Sequence, residues 1–243
     1  MGMLVEVVGS FATSLWTPHS DINILFIPGC EESFHVKNLL SQIYNWIKNE
    51  KESLNYHCLF LNDKPKDYPF FNIKVEVGEE KRRVSLGIVS KKHSARTYSN
   101  YVSECVKSNP FIGPIFFTFH KLLENFQLHK PNKRGLKNYA IFLMIMKSFE
   151  VYPSDNLAQS FSNFIYFFAE VYEFQEEVVE EKGLFVEKEK LCLRDPLNPN
   201  ITFGGSNTNI SKLTHLFGAV NCALKMGYSK NVLDYLWSLN LMF

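Results

Sequence analysis

The sequence predicts an α+β protein: a mixed sheet with flanking helices, followed by a mostly helical region with a small strand pair. Three observations carry this. Short apolar or alternating runs bounded by turn signals fill the first hundred or so positions. From Asn109 onward, apolar residues recur at helical spacing in long stretches. No internal repeat or low-complexity tract suggests a solenoid or a disordered chain.

The elements follow in order. "LVEVVG" reads as a buried strand, the Gly9–Ser10 pair as a tight turn, "FATSLW" as a short helical stretch, and "INILFI" as a second strand. "SFHVKNLLSQIYNWIKNE" has helical spacing at Val36, Leu39, Leu40, Ile43, Trp46 and Ile47. "NYHCLFL" and "FNIKVEV" read as strands, "VGEEKRR" as a hairpin turn, and "RVSLGIV" as the returning strand. "ARTYSNYVSECVKSN" is helical and leads out of this unit. "IGPIFFTFHKLLENFQL", "GLKNYAIFLMIMKSFE", "NLAQSFSNFIYFFAEVYEF" and "ISKLTHLFGAVNCALKMG" read as four helices, with "NVLDYLWSLNLM" as a possible fifth. The charged "YEFQEEVVEEKG" reads as a solvated helix end or loop, and "GLFVEKEKLCLRD" as a short strand pair. The expected division is 1–105 for the mixed domain and 106–243 for the helical one.

Composition bounds the function. A hydrophobic content of 46% with 22 Phe is ample for packed cores. A net charge of +1 gives no global pull toward nucleic acid or membrane. Five scattered cysteines without a CxxC argue against a disulfide framework or a zinc site, and for a reducing intracellular compartment. The nucleus or cytoplasm is expected, with the mitochondrion left open. No apolar run approaches the roughly 18 residues of a membrane span, and "MGMLVEVVGS" lacks the basic start of a signal peptide.

Five segments in order resemble the noncanonical poly(A) polymerase and terminal uridylyltransferase family, within the DNA polymerase β-like nucleotidyltransferases. "VGSFATSLWTPHSDINILFI" is similar to the family's Gly-Ser turn and acidic strand, and "NIKVEVGEEKRRVSLGIV" to its next strand and hairpin. "NPFIGPIFFTFHKLLENFQL" resembles the first helix of its helical domain. "RGLKNYAIFLMIM" resembles the helix whose start holds nucleotide, and "LCLRDPLNPNITFGG" the strand and loop that recognise the base. The resemblance covers almost the whole chain. It implies a nucleotidyltransferase palm domain followed by a helical central domain.

In that family an RNA 3′-hydroxyl attacks the α-phosphate of a nucleoside triphosphate, with two Mg²⁺ ions clamping the attacking and leaving oxygens. Mg²⁺ prefers anionic oxygen ligands, and the family supplies three carboxylates. Here the matching positions are Asp21, Asn23 and Ser85. Three formal charges have become one, so neither catalytic nor metal-binding residues are expected, and no cofactor. On the nucleotide side, Gly9, Ser10 and Tyr139 match the family, with Gly9 also readable as a plain turn glycine and Tyr139 as a core aromatic. His120 and Glu124 stand where the family places lysines, and Lys121 faces about 100° away on the helix. Asn138 replaces a serine, and Thr202 and Gly205 replace an Asn and an Arg. Gly9, Ser10, His120, Asn138 and Tyr139 therefore form at most a vestigial nucleotide pocket.

The resemblance thus predicts a pseudoenzyme: a structural or regulatory subunit of a complex in RNA processing, with an obligate protein partner. The stretch bearing Phe161, Phe164, Phe167, Phe168 and Phe174, and the apolar tail "LWSLNLMF", are the expected partner surface. Two alternatives stand beside it. One is an active RNA nucleotidyltransferase using Mg²⁺ and NTP, with carboxylates relocated to Glu76, Glu79 or Glu80. The other is a non-catalytic RNA-binding module using Arg82, Arg83, Lys91, Lys92 and Arg96.

Overall fold

The computed structural model describes residues 3–17, 20–28, 57–61, 70–77, 80–88, 93–130, 134–181, 184–205 and 209–227, with 42, 45, 46 and 49. The chain forms two compact units, Met1–Ser108 and Asn109–Phe243.

The first unit is built on a five-stranded sheet. Its strands are β1 (Met3–Val8), β2 (Ile22–Pro28), β3 (His57–Leu61), β4 (Phe70–Val77) and β5 (Glu80–Ile88), in the spatial order β1-β2-β5-β4-β3. β2 and β5 are parallel, and the other pairs are antiparallel. Helix α1 (Ser94–Ser108) follows, and Ala95 packs on the buried cluster of Val8, Leu25 and Ile27. Between β1 and β2 the expected helical stretch is a single 3₁₀ turn, Gly9–Phe11. The predicted helix over 33–50 lies almost wholly outside the described residues.

The second unit holds α2 (Ile112–Asn125), α3 (Asn138–Val151), α4 (Leu157–Tyr166) and α5 (Ile210–Lys225), with a small sheet of β6 (Gln175–Glu181), β7 (Leu184–Arg194) and β8 (Thr202–Gly205). Local sequence starts the last two helices: the Asn156 side chain accepts from the Gln159 N–H, and Asn209 from the Lys212 N–H, both at 3.1 Å. Every residue of α3 from Ala140 to Ile145 is buried, as suits a central helix, and its charged residues Lys147 and Glu150 come only in the last turns.

Four expectations need correction. "LVEVVG" is a strand but not a buried one: β1 lies at the end of the sheet, where Met3, Leu4, Val5 and Val7 stay exposed. "EFQEEVVEE" is not a solvated helix end: its residues from Gln175 to Glu181 form β6 and pair antiparallel with β7 from Leu184 to Lys190. "GLFVEKEKLCLRD" is not a strand pair but one long strand, β7, shared between β6 and β8. The aromatic stretch is not a free surface. Phe164, Phe167 and Phe168 are buried. Phe217 of α5 stacks on Phe119 (centroids 5.0 Å apart) and Phe168 (5.3 Å), with Phe164 edge-on to Phe119 at 4.9 Å. Phe164 and Phe168, on α4 and the π turn Phe167–Val171 that continues it, are covered by the unit's own helices, while Tyr166 and Val171 stay exposed. The tail from residue 228 lies outside the described residues.

Candidate functional site

In the first unit the Gly-Ser turn is set by backbone geometry. Gly9 has φ +75°, in the left-handed region that favours glycine. A β-carbon there would sit 3.0 Å from Nδ2 of Asn23. The Gly9 carbonyl accepts from the N–H groups of Ala12 (3.0 Å) and Thr13 (3.2 Å). The Ser10 carbonyl accepts from Thr13 Oγ1 and Leu15 N, both at 3.1 Å. The Gly9 N–H donates to Ser99 Oγ at 2.8 Å, and that hydroxyl donates to the Ala95 carbonyl at 2.8 Å. One amide of the turn is thus taken by α1. Nothing local to the turn signals Ser99 in the sequence.

Asp21 stands just before β2, half-buried, and Asn23 follows at a spacing that puts both on one side of the strand. The sheet brings Asn23 directly beside Ser85 on β5, and Ser85 faces Asn72 on β4. Of the three positions that match the family's carboxylates, Asn23 and Ser85 are thus neighbours across the sheet, and Asp21 lies two residues before Asn23. Their donors are one carboxylate, one amide packed on Gly9, and one hydroxyl. That set does not fit a pair of divalent magnesium ions, which want anionic oxygens. Among the described residues, no three His, Cys, Asp or Glu side chains gather in a way that could hold a metal ion. Glu76 pairs with Lys81, four residues along β5 from Ser85. That offset is about 13 Å at strand rise.

Of the basic residues considered for RNA, Arg82 and Arg83 lie on β5 opposite Val75 and Lys74. Arg96 on α1 makes a double hydrogen bond to Glu6 of β1, with Nη2–Oε1 at 2.7 Å. Lys91, Lys92 and Glu79 lie outside the described residues.

In the second unit, His120 is buried on α2 with Nδ1 3.5 Å from Glu124 Oε1. Lys121 reaches the same carboxylate at 3.0 Å, closer than its helix position suggested. Burial alone would push the Glu124 carboxyl up. The Lys121 hydrogen bond and charge, with the nearby imidazoles of His120 and His129, hold it below its ordinary value instead. Where the resemblance implies lysines, this helix carries an internally compensated cluster.

Tyr139, one residue into α3, is half-buried beside Asn138. Its Oη donates to Asp195 Oδ1 at 3.0 Å. Its ring meets Phe203 edge-on at 4.9 Å and lies near-parallel to Phe142 at 5.9 Å. Asp195 is 1% exposed, and the Leu197 N–H donates to the same oxygen at 3.0 Å. Thr202 and Gly205 end up on β8, opposite Arg194 and Leu191. The approach to α3 is fixed by Gly135, where a β-carbon would come within 2.3 Å of the Leu128 carbonyl oxygen. The Arg134 carbonyl also accepts from the Asn209 N–H at 2.9 Å, tying the approaches to α3 and α5 together.

No protein-family profile and no curated protein matches the sequence. Solved structures match in shape. The fold resembles that of the Cid1 poly(U) polymerase. A Cid1 variant bound to MgATP aligns over 97% of this chain and 86% of its own, with a TM-score of 0.72 at 15% identity. Cid1 in complex with its short product ApU aligns over 92% and 81%, with a TM-score of 0.66 at 15% identity. A cytoplasmic RNA terminal U-transferase aligns over 91% and 80%, with a TM-score of 0.64 at 16% identity. The α+β class is thus that of a nucleotidyltransferase fold. No described helix is long and apolar enough to cross a membrane.

Proposed function

We propose that this chain is a pseudo-nucleotidyltransferase, a degenerate relative of the RNA terminal uridylyltransferases. It serves as a structural or regulatory subunit of an RNA-processing complex and uses no metal or nucleotide cofactor. The observation that carries the reading is the Asn23–Ser85 pair in register across β2 and β5. The family that the sequence resembles carries metal-binding carboxylates at the matching positions, and these two residues offer none. Asp21 alone cannot hold two divalent ions or deprotonate an attacking hydroxyl while doing so. The Glu124 cluster supports the same reading, because it puts a paired carboxylate where cations would meet phosphate. Relocated carboxylates are disfavoured by the distance along β5 between Ser85 and the partner of Glu76. The subunit role follows from fold without chemistry: a retained nucleotidyltransferase shape offers surfaces, and protein partners are what such surfaces serve.

The test is tailing. The full chain is incubated with oligo(A) RNA, each NTP in turn, and Mg²⁺ or Mn²⁺. No 3′ extension is expected. Extension that disappears in Asp21→Ala overturns the proposal.

A further inference from the structure

β1 lies at one end of the five-stranded sheet, so among the described residues no strand covers its outer edge. Sheets ordinarily blunt such edges with Lys, Pro, a bulge or a very short strand, because the free N–H and C=O groups template further pairing. β1 has none of these. Its six residues, "MLVEVV", run in unbroken register with β2 from Met3 opposite Pro28 to Val8 opposite Asn23. Met3, Leu4, Val5 and Val7 are all exposed, Leu4 and Val5 by more than half. The single charged residue, Glu6, is held by Arg96 of α1 through two hydrogen bonds. The edge therefore presents apolar side chains and open backbone with its one carboxylate already compensated. An acidic or basic strand gains nothing there, whereas an uncharged, apolar extended strand matches it. β1 itself has that composition.

We propose that β1 pairs antiparallel with β1 of a second copy, about a two-fold axis through Val5. In this register Val5 faces Val5, and Met3 faces Val7. Leu4 faces Glu6, so no glutamate is set against another, and like-charge opposition is avoided. Met3, Val5 and Val7 share one side of β1 with their β2 partners Pro28, Phe26 and Ile24. The pairing turns two exposed half-rows into one apolar row across both copies, and joins two five-stranded sheets into one. The contact is isologous, so it closes at the dimer. It is independent of whether the nucleotidyltransferase site is active.

Sedimentation or light scattering of the full chain across the micromolar range decides the matter. The expected mass rises from 28.2 kDa toward twice that value with concentration. Val5→Lys sets two ammonium groups opposite one another at the axis and weakens the dimer at least roughly tenfold. Val5→Cys gives a positive readout: mild oxidation joins two copies through the introduced thiols, located by mass spectrometry of the linked peptide. Because Val5 is exposed, neither variant loses a core contact, and both keep the circular dichroism spectrum of the folded parent. If Val5→Lys fails to fold, the Val5→Cys crosslink decides. A chain that stays monomeric throughout the range overturns the proposal, as does a Val5→Lys dimer of unchanged affinity, or an oxidised Val5→Cys chain without that linked peptide.

Discussion

The Asn23–Ser85 row of the first unit and the Tyr139–Asp195 pair of the second are both polar, and they are held in opposite ways. Around Asn23 the frame is backbone: the left-handed Gly9, the 3₁₀ turn and the strand register hold the site in place. The residues at positions 23 and 85 ride on that frame, half-buried. Asp195 is part of its own frame. Its buried carboxylate accepts from Tyr139 Oη and the Leu197 N–H, and without it both donors lose a buried acceptor. The difference shows where a site is free to lose its chemistry. Clustered carboxylates repel one another, so exchanging them for neutral residues at positions like 23 and 85 relaxes the sheet rather than breaking it. The same exchange at Asp195 strands its neighbours.

The largest expected effect sets the scale of the second unit's packing. Phe217→Ala opens a cavity among Phe119, Phe164 and Phe168 and should cost about 3–5 kcal/mol in urea denaturation. A loss below about 1.5 kcal/mol would mean that this cluster does not anchor the helices. The comparison itself is tested by a pair of variants. Asp195→Ala should cost about 1–3 kcal/mol, the penalty for buried groups left unsatisfied. Asn23→Ala should cost under about 1 kcal/mol, within the range of changes that leave no such group. Equal losses would erase the distinction between the two sites.

The smallest effect is a pH dependence. The Glu124 carboxyl sits below its ordinary value in the folded chain, so the unfolded chain binds its proton more readily. Its contribution is fully present above the ordinary carboxylate range and is lost as the pH falls through the lowered folded value. Glu124→Gln should therefore flatten part of the acid limb of the stability curve, by under about 1 kcal/mol for a cluster that touches solvent. A variant curve parallel to that of the parent at every pH would show that Lys121 and the two histidines do not stabilise this carboxylate.

Much of this was legible in the chain. The strands of the first unit, from "LVEVVG" to "RVSLGIV", and all four long helices announce themselves by period. The neighbourhood of Asp21, Asn23 and Ser85 followed from the order of motifs. What escaped has a common physical cause. "EEVVEE" looks like solvated loop because its charges dominate the pattern, but β7 satisfies its backbone whatever its side chains are. The phenylalanines near Phe164 suggested a partner surface because a wide apolar arc does not say which neighbour covers it. Tyr139 and Asp195 are 56 positions apart, and no local period encodes their hydrogen bond.

The two contacts that α1 makes back to β1 and the Gly-Ser turn, through three hydrogen bonds, carry a consequence for the order of events in folding. Gly9 to Ser99 and Glu6 to Arg96 each span 90 residues. Closing so long a loop is entropically costly, and such contacts form slowly. On an emerging chain, these contacts can form only after every strand of the sheet and α1 have been made, whereas β1 can pair with β2 much earlier. During synthesis, the Gly-Ser turn therefore gains its tie to α1 only once the rest of its unit has been made.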